Sequence, residues 1–152
     1  MTATPVSVAG MAHQVQVTFD AADPARLAEF WALALGYVAQ PPPAGFDSWE
    51  RFAERIGVPP ERAGDMAAVI DPDGAGPRIF IQRVPEGKTA KNRVHLDIQL
   101  TGGDRGAHAW RRVTEHVDTL VAAGARRLWE TDEPTGRAIV LADPEGNEFC
   151  VT

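Results

Sequence analysis

Hydrophobic and polar residues alternate most regularly over residues 93–100. Val94, Leu96, Ile98 and Leu100 fall on one side of an extended strand, and Arg93, His95, Asp97 and Gln99 on the other. One face suits a core, while the other lines up a cation, an imidazole, a carboxylate and an amide. Residues 14–19 repeat the design, with Val15, Val17 and Phe19 set against Gln14, Gln16 and Thr18. Shorter patterns predict strands over 37–40, 66–70, 78–84, 126–130, 137–142 and 148–152.

Three stretches carry a helical period instead. Leu27, Phe30, Trp31 and Ala34 recur at i, i+3, i+4 and i+7. Asp23 offers a cap, Pro24 suits the first helical position, and Gly36 supplies a stop. Ala107, Trp110, Val113, Val117, Leu120 and Val121 form a second stripe, between a possible Asp104 cap and Gly124. Residues 46–62 hold a third piece, capped by Asp47 or Ser48. Its stripe is Trp49, Phe52, Ala53 and Ile56, broken by Gly57 and Pro59-Pro60.

In order, each half reads strand, helix, glycine, two strands, a turn and a strand. The turns match: Asp71-Pro72-Asp73-Gly74 and Asp143-Pro144-Glu145-Gly146. A repeat of about 70 residues is too long for a solenoid and too short for two independent domains, so the halves must share a core. The pattern divides the chain into a loosely ordered segment 1–12 and a single domain 13–152. Module one covers 13–84 with a helical insertion at 46–62, and module two covers 92–152.

Composition narrows the function classes. The chain has 152 residues and a formal net charge of -6, from 21 acidic residues against 15 lysines and arginines. Without a basic block it lacks the means of neutralising nucleic-acid phosphates. No apolar run approaches the roughly 20 residues of a membrane span, and no basic start precedes an apolar segment as in a secretory signal. A single cysteine, Cys150, excludes an internal disulfide and a cysteine-cluster metal site, and fits a cytoplasmic protein.

Three segments carry a family resemblance. Phe19-Asp20-Ala21-Ala22-Asp23-Pro24, followed by Leu27-Ala28, Phe30-Trp31 and Leu35-Gly36-Tyr37, resembles the opening of a glyoxalase-like domain. Residues 91–97 and 143–150 resemble its second half. The family is the vicinal-oxygen-chelate superfamily, which includes glyoxalase I, bleomycin-resistance proteins and extradiol dioxygenases. The resemblance implies an α+β fold of two βαβββ modules, whose curved mixed sheets enclose a cleft with the helices outside. It also implies a small-molecule ligand and pairing as a homodimer.

Metal-using members of that superfamily take ligands from the first and last strand of each module. Those positions fall here on Gln16, on Phe80 or Gln82, on His95 and on Cys150. Glyoxalase I-like enzymes need carboxylates at the second and fourth, and this chain has none. A hard divalent ion prefers oxygen donors, although zinc accepts an imidazole and a thiolate. His95 and Asp97 also fit two ligands of a 2-His-1-carboxylate iron site, with His108 or His116 as the third.

The expectation is therefore a cleft without a resident metal, a divalent metal at Gln16, His95 and Cys150 being the alternative. In the metal-free case His95 is the candidate acid–base catalyst, since imidazole suits proton transfer near neutral pH. Gln16, Arg93 and Asp97 are candidate ligand-binding groups, and Trp49 a candidate lid. Trp31 and Trp110 belong to helix stripes and are expected in the core, and Trp129 can face either way. Three functions stay open. The first is a metal-free small-molecule binder or enzyme, the second a metal-dependent lyase, isomerase or dioxygenase of glyoxalase type, and the third a non-catalytic sequestration module.

Overall fold

The structure is a computed structural model that describes residues 13–152; the expected loose segment 1–12 lies outside the described residues. The first half runs β1 (Gln16–Ala21), α1 (Pro24–Leu35), β2 (Val38–Ala39), β3 (Met66–Ile70) and β4 (Arg78–Arg83). Between β2 and β3 come α2 (Trp49–Arg55) and a 3₁₀ turn, Pro60–Arg62. The second half runs β5 (Asp97–Ile98), α3 (Ala107–Ala122), β6 (Arg126–Glu133), β7 (Gly136–Ala142) and β8 (Glu148–Val151). Two open four-stranded sheets result, ordered β1-β4-β3-β2 and β5-β8-β7-β6. In each, the first strand pairs in parallel with the last and the other neighbours are antiparallel. The expected α+β fold of two βαβββ units is the one observed.

Local signals fix α1. The Asp23 carboxylate accepts from Arg26 N at 3.1 Å, Pro24 opens the helix, and Gly36 closes it at φ 69°, where a side chain would be strained. Ser48 caps α2, which stops at Arg55 just before Gly57 (φ 80°). Before α3 the expected cap differs. Asp104 accepts from Gly106 N at 2.8 Å, so it shapes the preceding turn, and Gly106 stands at the helix end.

α1 and α3 bury most of their apolar stripes in one core shared by the two sheets, but Ala107 and Val121 of the expected α3 stripe are exposed and Ala109 is buried instead. Trp31 is fully buried, stacks on Phe19 at 5.0 Å and meets Phe149 of β8 edge-on at 5.2 Å. The helix of the first half thus packs on its own sheet and, through Phe30 and Trp31, also reaches β8 of the second. Trp110 is only partly buried and lies beneath the Arg137 guanidinium, 3.7 Å from its ring centre. Trp129 is 46% exposed beside a bulge in β6.

The two matching turns have different fates. Asp71 accepts from Asp73 N, Ala75 N and Gly76 N, and this keeps its carboxyl below the usual range. Asp143 is buried and accepts from Glu145 N, Asn147 N, Asn147 Nδ2 and Trp31 Nε1. Burial raises its pKa against the pull of those donors. Beside it, Glu145 Oε1 accepts from Ala22 N and Asp23 N at 3.1 and 2.9 Å. The second turn therefore holds the start of α1, and with it the two halves together.

The stretch over 93–100 is the main correction. Only Asp97–Ile98 is regular strand, extended by the bonds Cys150 N to Leu96 O and Leu100 N to Thr152 O. Asp97 pairs with Cys150, so His95 lies level with Glu148, the first residue of β8. Arg93 and Val94 fall beyond the end of that partner and have no ladder to join. Val94, expected in the core, is 80% exposed.

Candidate functional site

Strand alternation gives the first sheet a helix-covered face and an open face. Val17, Phe19, Ile79, Ile81 and Val69 turn to the core. Gln16, Thr18, Asp20, Arg78, Phe80, Gln82, Met66 and Ala68 take the other side. The register sets Gln16 beside Arg78, Thr18 beside Phe80 and Asp20 beside Gln82. Two of these pairs are bonded: Arg78 Nη1 donates to Gln16 Oε1 at 2.6 Å, and Gln82 Nε2 to Asp20 Oδ1 at 2.9 Å. Arg78 Nε also donates to Gln40 Oε1 at 2.8 Å, and its guanidinium lies 5.0 Å from the Phe80 ring centre.

The segment between β2 and β3 folds back over the start of β3, on the side where β2 pairs only with Val69 and Ile70. Beneath it lies a cavity of about 460 Å³. Trp49, Phe52, Ile56, Met66 and Phe80 give it an apolar lining, and Arg78 and Gln40 supply polar groups. Trp49 Nε1 donates to Gln40 O at 2.8 Å, and its ring meets Phe52 edge-on at 5.8 Å. Trp49 thus occupies a wall of the cavity. Arg78 and Gln40 escaped notice in the sequence. The alternation of Arg78, Phe80 and Gln82 with Ile79 and Ile81 was the signal available for Arg78; nothing local marks Gln40.

On the second sheet, Cys150 lies between Asp97 and Val140 in register. Burial first, and the Asp97 carboxylate second, push its thiol up to about 11. His95 is exposed, with Nε2 3.0 Å from Lys91 Nζ. An ammonium can only donate, so that nitrogen accepts. Arg93 is exposed as well.

A second cavity, of about 540 Å³, lies between the two halves. Thr18 and Asp20 of β1, Val94 and Leu96 of the linking segment, and Glu148 are among its lining residues; Arg93, His95 and Asp97 are not. The apolar side of the 93–100 stretch, not its polar side, therefore faces that cavity. Glu148, also missed in the sequence, anchors the wall. Its carboxylate accepts from Asn92 N at 3.0 Å and pairs with Lys88 Nζ at 2.9 Å. These contacts, the Asn92 N–H first, hold its pKa at about 2.

The positions that carry metal ligands in glyoxalase-type sites can be compared directly. Cys150 stands two residues past the partner of His95. The same offset from Gln16 on β4 reaches Phe80, so the register selects Phe80 over Gln82. Gln16 already holds a guanidinium, Phe80 has no donor atom, and Cys150 favours the neutral thiol. These side chains do not fit a divalent ion. Among the described residues no three of His, Cys, Asp or Glu come close enough together to hold a metal. His116 Nε2 lies 3.0 Å from Ala34 O, so that imidazole is engaged with α1 at the back of the sheets.

The sequence profile described as Glyoxalase-like domain matches residues 16–152. The chain belongs to this family. Solved structures agree on the fold. The fosfomycin resistance protein FosX of Listeria monocytogenes, as a point mutant complexed with Mn(II) and 1S,2S-dihydroxypropylphosphonic acid, superposes with a TM-score of 0.59 at 14% identity, over 95% of this chain and 90% of that one. A glyoxalase/bleomycin resistance protein/dioxygenase family enzyme of Burkholderia phytofirmans gives 0.59 at 16% identity, over 90% and 94%. A possible glyoxalase of Bacillus cereus gives 0.58 at 13%, over 93% and 99%. A nonribosomal peptide synthetase of Aspergillus flavus is 24% identical over 117 residues, 75% of this chain. The chain spans about 2% of the length of that curated relative. No helix among the described residues is long and apolar enough to cross a membrane.

Proposed function

We propose that this glyoxalase-like protein binds a small organic molecule without a resident metal ion. The observation that carries this reading is the Arg78–Gln16 bond of 2.6 Å. It sets a fixed positive charge beside the first ligand position, where a dication would be repelled. Phe80 and the neutral Cys150 thiol at two further positions support it. The finer reading gives His95 the acid–base role if the bound molecule is turned over, in a lyase or isomerase reaction of glyoxalase type. Gln16 and Asp97 are then ligand-binding groups on the sheets, and Arg93 one on the segment that precedes β5.

A second reading is binding without turnover, as in a sequestration module. The positions of His95 and Arg93, neither of which lines either cavity described above, favour it. Pairing of two copies and a cytoplasmic location belong to the same proposal. Light scattering and cell fractionation test them.

Elemental analysis of protein purified without chelators is the primary test. It should find zinc, nickel, manganese and iron well below one per chain, and chelator should leave the melting temperature unchanged. A stoichiometric metal lost on His95→Ala overturns the proposal. A thermal-shift screen against small metabolites, repeated on His95→Ala, then separates the two readings. Hits bound equally by the mutant and recovered unchanged remove the acid–base role.

A further inference from the structure

Three of the large nonpolar side chains left open to solvent gather around one place. Trp49, Ile56 and Met66 are 41%, 58% and 51% exposed, and all three line the cavity of about 460 Å³ beneath α2. An exposed cluster of this kind marks a binding surface more often than a random scatter does, and the volume is in the range that encloses a small ligand. The cavity also contains a charge. Arg78 is partly buried in its wall, and it donates to the neutral side-chain oxygens of Gln16 and Gln40. Among the described residues no carboxylate lies within 4.0 Å of it. Glu29 and Glu50 border the cavity too, but both are solvent-exposed.

We infer that the cavity beneath α2 binds a small anionic molecule with an aromatic or apolar body, its acid group taken by Arg78. The inference rests on the metal-independent reading above and names the ligand class for it. The chemistry is complementary at both ends. A guanidinium held through Nε on Gln40 and through Nη1 on Gln16, over the Phe80 ring, is fixed before a ligand arrives, so little ordering is needed for Nη2 to donate to a carboxylate. Trp49, Phe52 and Phe80 offer ring faces and edges to a flat body. A cationic ligand is disfavoured by the same arginine. A neutral one would leave the guanidinium desolvated without a counter-charge.

The test compares 2-naphthoate with 2-naphthamide, which has the same rings and no charge, by isothermal titration calorimetry. The wild type should bind the acid at least about tenfold more tightly than the amide, the scale of one charge-assisted contact. Arg78→Met should erase that preference by weakening the acid alone. Arg78→Lys, which keeps the charge, should retain part of it. Trp49→Ala should weaken both compounds. Equal wild-type binding of acid and amide, binding of neither, or an unchanged preference in a folded Arg78→Met protein overturns the inference. A preference that disappears on chelator treatment overturns it together with the metal-independent reading. A metal found with the preference intact overturns only the latter.

Discussion

Asp143 gives the sharpest prediction, because the chain contains its own control in Asp71. Both open an Asp-Pro-acid-Gly turn and accept backbone N–H groups. Asp143 alone is buried, and Trp31 Nε1 donates to it from the other half of the chain at 3.2 Å. In Asp143→Asn the amide oxygen can replace Oδ1 and keep the bonds from Glu145 N and Asn147 N. The amide NH₂ then replaces Oδ2 and meets the Trp31 N–H, donor against donor. Asn147 can turn its side chain round to adapt, but an indole cannot. A buried donor without a partner costs about 1–3 kcal/mol, and a domain of this size loses about 2–4 °C per kcal/mol. At about 2 kcal/mol, the middle of that range, Asp143→Asn should lower the melting temperature by roughly 4–8 °C. Asp71→Asn, whose carboxylate borders solvent, should lower it by no more than about 3 °C. Thermal unfolding by circular dichroism measures both. A double-mutant cycle with Trp31→Phe should show coupling of about 1 kcal/mol, since the unpartnered N–H disappears in the double mutant. Equal losses at the two aspartates, or an uncoupled cycle, contradict a buried acceptor for Trp31 Nε1 at Asp143.

Three further outcomes follow from single residues. Glu148 has its pKa lowered to about 2 from an ordinary value of 4.5; its contribution to stability is complete above about pH 4.5 and is lost as pH falls toward 2, so Glu148→Gln should flatten the acid limb of the stability profile there. Cys150, with its thiol at about 11, should react with iodoacetamide slowly at pH 7.5, and the rate should rise about tenfold per pH unit towards pH 11; fast alkylation at pH 7.5 would mean a stabilised thiolate and a better metal donor. Glu145→Ala removes the acceptor for Ala22 N and Asp23 N at the start of α1 and should cost about 1 kcal/mol in urea unfolding.

Much of the fold was legible because it is written in short-range periods. Leu27, Phe30, Trp31 and Ala34 recur at helical spacing, and all four are buried. The alternation of Arg78–Arg83 predicts which side chains join the core, and the paired turns reveal the repeat. The first-strand positions are also readable, but the last-strand position of module one stayed between Phe80 and Gln82, because the βαβββ order sets that these strands run parallel and not their register. What failed was the edge. The 93–100 stretch alternates as well as any strand, but alternation says nothing about whether a partner strand is present. The partner begins at Glu148, so only the C-terminal part of the stretch pairs and Val94 is left in solvent.

The sequence by itself determined the two repeated units, the helix stripes and caps, and the absence of the carboxylates a glyoxalase-type metal would need. These depend on residue identity and spacing along a few turns of chain. Only the tertiary structure decided that Asp143 is buried while Asp71 is not, that Glu148 collects Asn92 and Lys88, and that Arg78 stands between Gln16 and Gln40 in the wall of an aromatic-lined cavity. Each of those contacts joins residues 38 or more positions apart. Their energies come from burial and charge at a place that exists only once the two sheets and α1 have packed together.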